Sequence, residues 1–173
     1  MNRTIIATIL ALVLLVAFVP ISNAEMAKEG TDSGVSIYTV TPTIVSLDKD
    51  RYAVEFELLG VYLSDAGKGP FHNMSSQCVG VIYYDKGVGK LLGYMVMTAP
   101  DGDKVLVEIK EDKALPPPNP NKGTGKFLGG TGKFAGIEGT LEYSRYYTRP
   151  AKKGVAHAVS PSKYHWKIPE AKK

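Results

Sequence analysis

The 173-residue chain is poor in cysteine, histidine and tryptophan, with one Cys, three His and one Trp. A single cysteine cannot close an intramolecular disulfide, which excludes a disulfide-built scaffold. The histidines, His72, His157 and His165, are scattered without metal-ligand spacing, so neither a metal site nor another cofactor is expected. Charge of one sign is scarce as well: 21 Lys and Arg against 17 Asp and Glu leave +4, too little to argue for a nucleic-acid partner. After the N-terminus no apolar run is long enough to span a bilayer, and no segment carries a helical apolar stripe. What remains, 44% hydrophobic and 22% charged, is the composition of one globular domain.

The N-terminus reads as an address. Arg3 is the only charge in the first 24 residues, Ile5 to Val19 is apolar, and Pro20-Ile21-Ser22-Asn23-Ala24 ends in small residues, the plan of a secretory signal peptide. Fifteen helical residues would cover only about 22 Å of a hydrocarbon layer about 30 Å thick. Cleavage is expected after Ala24, leaving a 149-residue chain of net charge +3 in the periplasm or outside the cell, with no membrane contact. Residues 25–34, polar and without periodicity, read as a flexible leader, and 35–173 as a single domain. In an oxidising compartment the lone Cys78 is a buried small hydrophobe, an intermolecular bridge or a reactive thiol.

The mature chain alternates with period two. In Arg51 to Leu58, Tyr52, Val54, Phe56 and Leu58 share one face, and the phase is expected to slip at Leu59-Gly60 in a β-bulge. Gln77 to Tyr84 and Lys90 to Thr98 flank the glycine-bearing turn 85–89 and read as a hairpin. Pro100-Asp101-Gly102-Asp103 turns the chain into Lys104 to Lys110; Asp101 and Asp103 lack the further oxygen ligands of a calcium loop and read as turn residues. Leu115 to Asn121, with four prolines, is a stiff connection. Further strands are expected in Ile37 to Leu47, Thr124 to Leu128, Leu141 to Thr148 and Tyr164 to Ile168. About eight closely spaced strands predict an all-β barrel or sandwich.

Gly123-Thr-Gly-Lys-Phe-Leu-Gly129 is echoed at once by Gly130-Thr-Gly-Lys-Phe-Ala-Gly136. A phosphate loop needs Ser or Thr after its Lys, where this chain has Phe127 and Phe134, and the dinucleotide fingerprint fails on spacing. The glycines therefore read as points of positive φ and close approach, with Phe127 and Phe134 plugging a barrel. The segment Gly129 to Gly139 resembles the Gly-Gly-Thr-Gly-Lys-Phe stretch of allene oxide cyclase-like barrels and dirigent proteins. The stretch from Gly69 to Gly80 and Asp101-Gly102-Asp103 resemble segments of exported bacterial relatives. The resemblance spans about residues 35–150 and implies an eight-stranded antiparallel, calycin-like barrel with an apolar interior. It carries over no catalytic residues.

Candidate chemistry is sparse. His72 precedes Cys78 by six residues with Asn73 beside it, a composition seen in thiol hydrolases, though an extended segment would hold the two about 20 Å apart. Tyr143, Arg145 and Tyr147 share one face of a strand, with Tyr146 on the other. They either line a pocket, Arg145 holding an acid, or cover the barrel exterior. Glu108 is a further candidate for a titratable group facing a pocket. Three functions follow: a binder of a small apolar or aromatic ligand, an isomerase or cyclase that confines a reactive substrate, and a filled barrel working through loops or a homo-oligomer face. A pocket with a few convergent polar groups would support the first two.

Overall fold

The computed structural model describes residues 26–169. The signal-peptide segment and its cleavage site lie outside them. Eight strands form a closed antiparallel barrel in sequence order: β1 (Glu29–Ser46), β2 (Arg51–Ser64), β3 (Met74–Asp85), β4 (Val88–Thr98), β5 (Lys104–Ala114), β6 (Asn121–Gly130), β7 (Glu138–Lys152) and β8 (Val155–Lys167). The period-two pattern is satisfied by closure: alternate side chains fill the interior and the others face water. In β4, Leu91, Met95 and Met97 point inward while Leu92, Tyr94 and Val96 point out. The hairpin expected around residues 85–89 forms with a two-residue turn, Lys86 and Gly87 both at positive φ.

Two expectations are corrected. The leader is not free over its whole length, because Glu29 to Gly34 belong to β1 and pair with β8 from Glu29↔Lys167 onward. Backbone pairing needs no apolar alternation, and buried Asp32 is held there by the Ser64 hydroxyl, which donates to Oδ1 at 2.6 Å. Nor is there a bulge at Gly60: β2 runs unbroken in register with both neighbours, and even-numbered residues stay inward through Tyr62 and Ser64. Gly60 is there because a Cβ would collide with the Tyr38 ring and the Ile37 carbonyl. Register shifts occur instead between Gly89 and Leu91, between Leu106 and Val107, and between Thr148 and Lys152.

One end of the barrel is stoppered. The β2–β3 loop turns Phe71 inward, where its ring stacks on Tyr164 at 4.9 Å and on Phe134 at 5.8 Å, and meets Trp166 edge-on at 5.3 Å. Phe127 packs on the same ring at 5.8 Å, so both phenylalanines of the glycine repeat do plug the barrel. Phe134 rides on a short 3-10 turn, Gly132–Phe134. That turn is clasped to the β4–β5 connection: Lys133 N–H donates to Asp103 Oδ2 at 2.9 Å, and Lys133 pairs with Asp101. Gly132 has φ +51, and a Cβ there would strike the Asp103 carboxylate. Asp101 and Asp103 are thus turn residues and latch partners, and among the described residues no group of His, Cys, Asp and Glu is arranged to hold a metal ion.

Candidate functional site

The other end of the barrel is open. A cavity of about 210 Å³ lies there, walled by aliphatic and aromatic side chains that include Val40, Phe56, Leu58, Ile82 and Ala156. Pro42, Ile44, Pro116 and Pro117 form its lip, and Tyr52 stacks on Tyr84 at 4.8 Å along one side. The charged group lining it is Arg145, with Tyr147 beside it. Arg145 also borders a separate void of about 20 Å³ deeper in the barrel, so its side chain divides the two.

Arg145 arrives there by strand phase. Leu141, Tyr143, Arg145 and Tyr147 occupy alternate positions of β7 and face inward, whereas Tyr146 is exposed. Tyr143, Arg145 and Tyr147 therefore point into the barrel and do not cover its exterior. Arg145 is buried and would be costly alone; Glu111 of β5 neutralises it, the guanidinium Nη2 donating to Glu111 Oε2 at 2.9 Å. Tyr143 donates its hydroxyl to Glu111 Oε1 at 3.0 Å. β6 lies between β5 and β7, and its inward residue there is Gly123, where a Cβ would run into the Tyr143 ring. The first half of the glycine repeat thus thins the wall so that Tyr143 can reach across to Glu111, while the second half latches the stopper.

The electrostatics of the group follow from its burial. Desolvation lifts the Glu111 carboxyl, with Arg145 and the Tyr143 hydroxyl pulling it back. Burial also works against the charged form of Arg145, but Tyr147, Glu111 and Tyr143 outweigh it and hold the guanidinium above its ordinary value. The phenols of Tyr143 and Tyr147 are raised, chiefly by burial, and stay protonated at neutral pH. Arg145 Nε is buried without a hydrogen-bond partner among the described residues, and the guanidinium carbon lies 5.2 Å from the Tyr147 ring centre. Arg145 and Tyr147 thus set donor-bearing side chains in the lining of a mainly apolar cup.

The remaining candidates are elsewhere. His72 and Cys78 form no pair: His72 sits in the loop at the stoppered end, its Nδ1 accepting from the Ser64 N–H at 3.2 Å. Cys78 is buried on the inner face of β3, its thiol pushed up to about 12 by desolvation, with Arg145 pulling the other way. That thiol is a packing group rather than a nucleophile. Glu108 points outward and pairs with Lys110 at 2.6 Å, because the inward positions of β5 are the odd ones. Continuing that odd phase from Val105, Val107 and Ile109 one step past Lys110 leads to Glu111, the carboxylate that the sequence reading missed.

No protein-family model matches the chain, and no curated protein matches it. Among solved structures it is similar to the pterocarpan synthase dirigent protein GePTS1, at 13% sequence identity over 82% of this chain and 93% of that chain, with a TM-score of 0.47. The eight-stranded antiparallel barrel that the glycine segment implies is established by the chain's own closed ladder.

Proposed function

We propose that this protein binds a small apolar or aromatic molecule in the open-end cup, an oxygen acceptor of that molecule meeting Arg145 and the Tyr147 hydroxyl. The observation that carries the reading is the cup itself: about 210 Å³ of apolar-walled space with a buried guanidinium whose Nε lacks a partner. Binding is favoured over confinement catalysis because Glu111 stands behind Arg145, and among the described residues no carboxylate lines the cup. The signal-peptide pattern of residues 1–24 puts the encounter in the periplasm or outside the cell.

Native mass spectrometry of protein purified from its own host tests this. The expected spectrum shows a non-covalent adduct that disappears in Ala156→Phe, a substitution that fills the cup from its wall. A bare chain mass from the host, with Ala156→Phe indistinguishable from it, would show that the cup holds nothing. The same spectrum reads the homo-oligomer expectation, for which the outward apolar residues Val79, Val81, Leu92, Tyr94 and Val96 of β3 and β4 supply a surface.

A further inference from the structure

The lip of the cup is more than a rim. β1 pairs with β8 only as far as Val40↔Ala156, yet its pairing with β2 continues to Ser46↔Tyr52. Residues 41–46 therefore run past the end of the β8 ladder as the free edge of the sheet, paired with β2 alone while β2 remains paired with β3, and every one of them is exposed. At its end stand three large aliphatics turned to solvent: Ile44 is 62% exposed, Val45 66% and Leu47 73%. Val88, on the neighbouring β3–β4 hairpin, is 45% exposed at the same end. An ordinary turn connecting two strands has no use for such residues, which burial would favour placing inside.

The open end as a whole carries more exposed cations than carboxylates. Lys49, Lys86, Lys90, Lys113, Lys122 and the pair Lys152–Lys153 are exposed at the open end. Arg51 is occupied by Asp48 at 2.7 Å, and Asp50, Asp85, Asp112 and Glu55, which lies opposite Thr43, are further exposed carboxylates there. At the stoppered end Lys28, Lys68, Lys104, Lys133 and Lys167 are balanced by Glu29, Asp65, Asp101, Asp103 and Glu138. Apolar side chains at a projecting tip, on an end of the barrel with a net excess of lysines, are complementary to a bilayer surface: aliphatics enter the acyl boundary and lysines meet the headgroups. A further β-strand would fit the free edge of residues 41–46 less well, since Pro42 has no N–H to offer it.

We infer that the open end docks on a bilayer rich in anionic lipid, the Ile44-Val45-Leu47 tip inserting and the lysine ring gripping phosphate headgroups, so that the cup mouth faces the membrane. This departs from the sequence expectation of no membrane contact after signal removal, which rested on the lack of a spanning segment. It goes beyond the ligand reading and does not depend on it, since docking requires the lip and not an occupied cup.

Co-sedimentation tests it with vesicles of phosphatidylcholine alone and of phosphatidylcholine doped with phosphatidylglycerol, at low and high salt. Partition is expected to be about ten-fold or more stronger on the anionic vesicles and to fall as salt rises. Replacing Ile44, Val45 and Leu47 together by Ser, or Lys152 and Lys153 together by Glu, should each weaken it by about ten-fold. Lys68→Glu with Lys104→Glu, at the stoppered end, should leave it unchanged. All variants carry the same N-terminus, so differences among them report the open end. Equal partition on both vesicle types, insensitivity to the tip substitutions, or an equal loss in the Lys68/Lys104 pair would overturn the inference. So would a chain that self-associates through the tip, seen as an oligomer that the Ser substitutions dissolve.

Discussion

At the stoppered end Phe71 lies among Phe127, Phe134, Tyr164 and Trp166, ring on ring, and a loop and a 3-10 turn close over them. At the open end the same alternating strands leave about 210 Å³ unfilled and set a guanidinium at its base. The strands do not differ in kind; their connections do. The loops at the stoppered end fold inward and contribute aromatic residues, whereas at the open end two tight turns, a proline-rich connection and a projecting sheet edge stay at the margin. Stability is therefore expected to be concentrated at one end and recognition at the other, as in proteins that carry binding groups on a rigid scaffold.

That contrast can be broken most severely at Phe71. Phe71→Ala empties the centre of the stopper and should cost about 4 kcal/mol in urea unfolding. A loss below about 1 kcal/mol would mean the rings close without it. Arg145→Met strands the buried carboxylate of Glu111 and should cost about 3 kcal/mol, most of it recovered when Glu111→Leu is added. Failure of the double substitution to recover would show that the pair itself supports the barrel. Gly132→Ala forces a side chain into the Asp103 carboxylate at a positive φ; a loss of about 1–2 kcal/mol, seen as a lowered Tm, is expected at the latch.

Two milder tests read the interior without disrupting it. Burial raises the Glu111 carboxyl above its ordinary 4.5, so its protonation favours the fold. That contribution is full below the unfolded-state value and is lost as pH rises through the folded one. The stability advantage of the wild type over Glu111→Gln should accordingly shrink from acid toward neutral pH, and a constant difference would contradict the raised carboxyl. Cys78, with its thiol near 12, should resist iodoacetamide in native protein at pH 8 and react on unfolding. Native labelling at the rate of a free thiol would place it outside the core.

Most strands were legible because alternation is a direct consequence of a sheet with one buried face, and the hairpin at Lys86-Gly87 announced its own turn. Arg145 and its two tyrosines were found for the same reason, though alternation alone could not say which face was inside. Phe71 escaped because it sits in a loop, where period two does not reach and only the folded chain decides direction. Glu111 escaped because the strand was closed at Lys110 and a carboxylate was chosen by type, which selected outward Glu108, when the phase of Val105, Val107 and Ile109 pointed past it. Asp32 was hidden in a polar stretch whose pairing is made by backbone, leaving no mark in side-chain pattern.

The pairing of β1 with β8 sets Glu29 opposite Lys167, and the Ile168 N–H donates to the Lys28 carbonyl at 2.6 Å. Start and finish of the strand order are thus neighbours across a single ladder. A gene re-cut between Lys86 and Gly87, with Lys28 and Ile168 bridged by a few residues over that ladder, would encode the same eight neighbours beginning from a different place. The arrangement is a ring, and which strand is counted first is an accident of where the message starts.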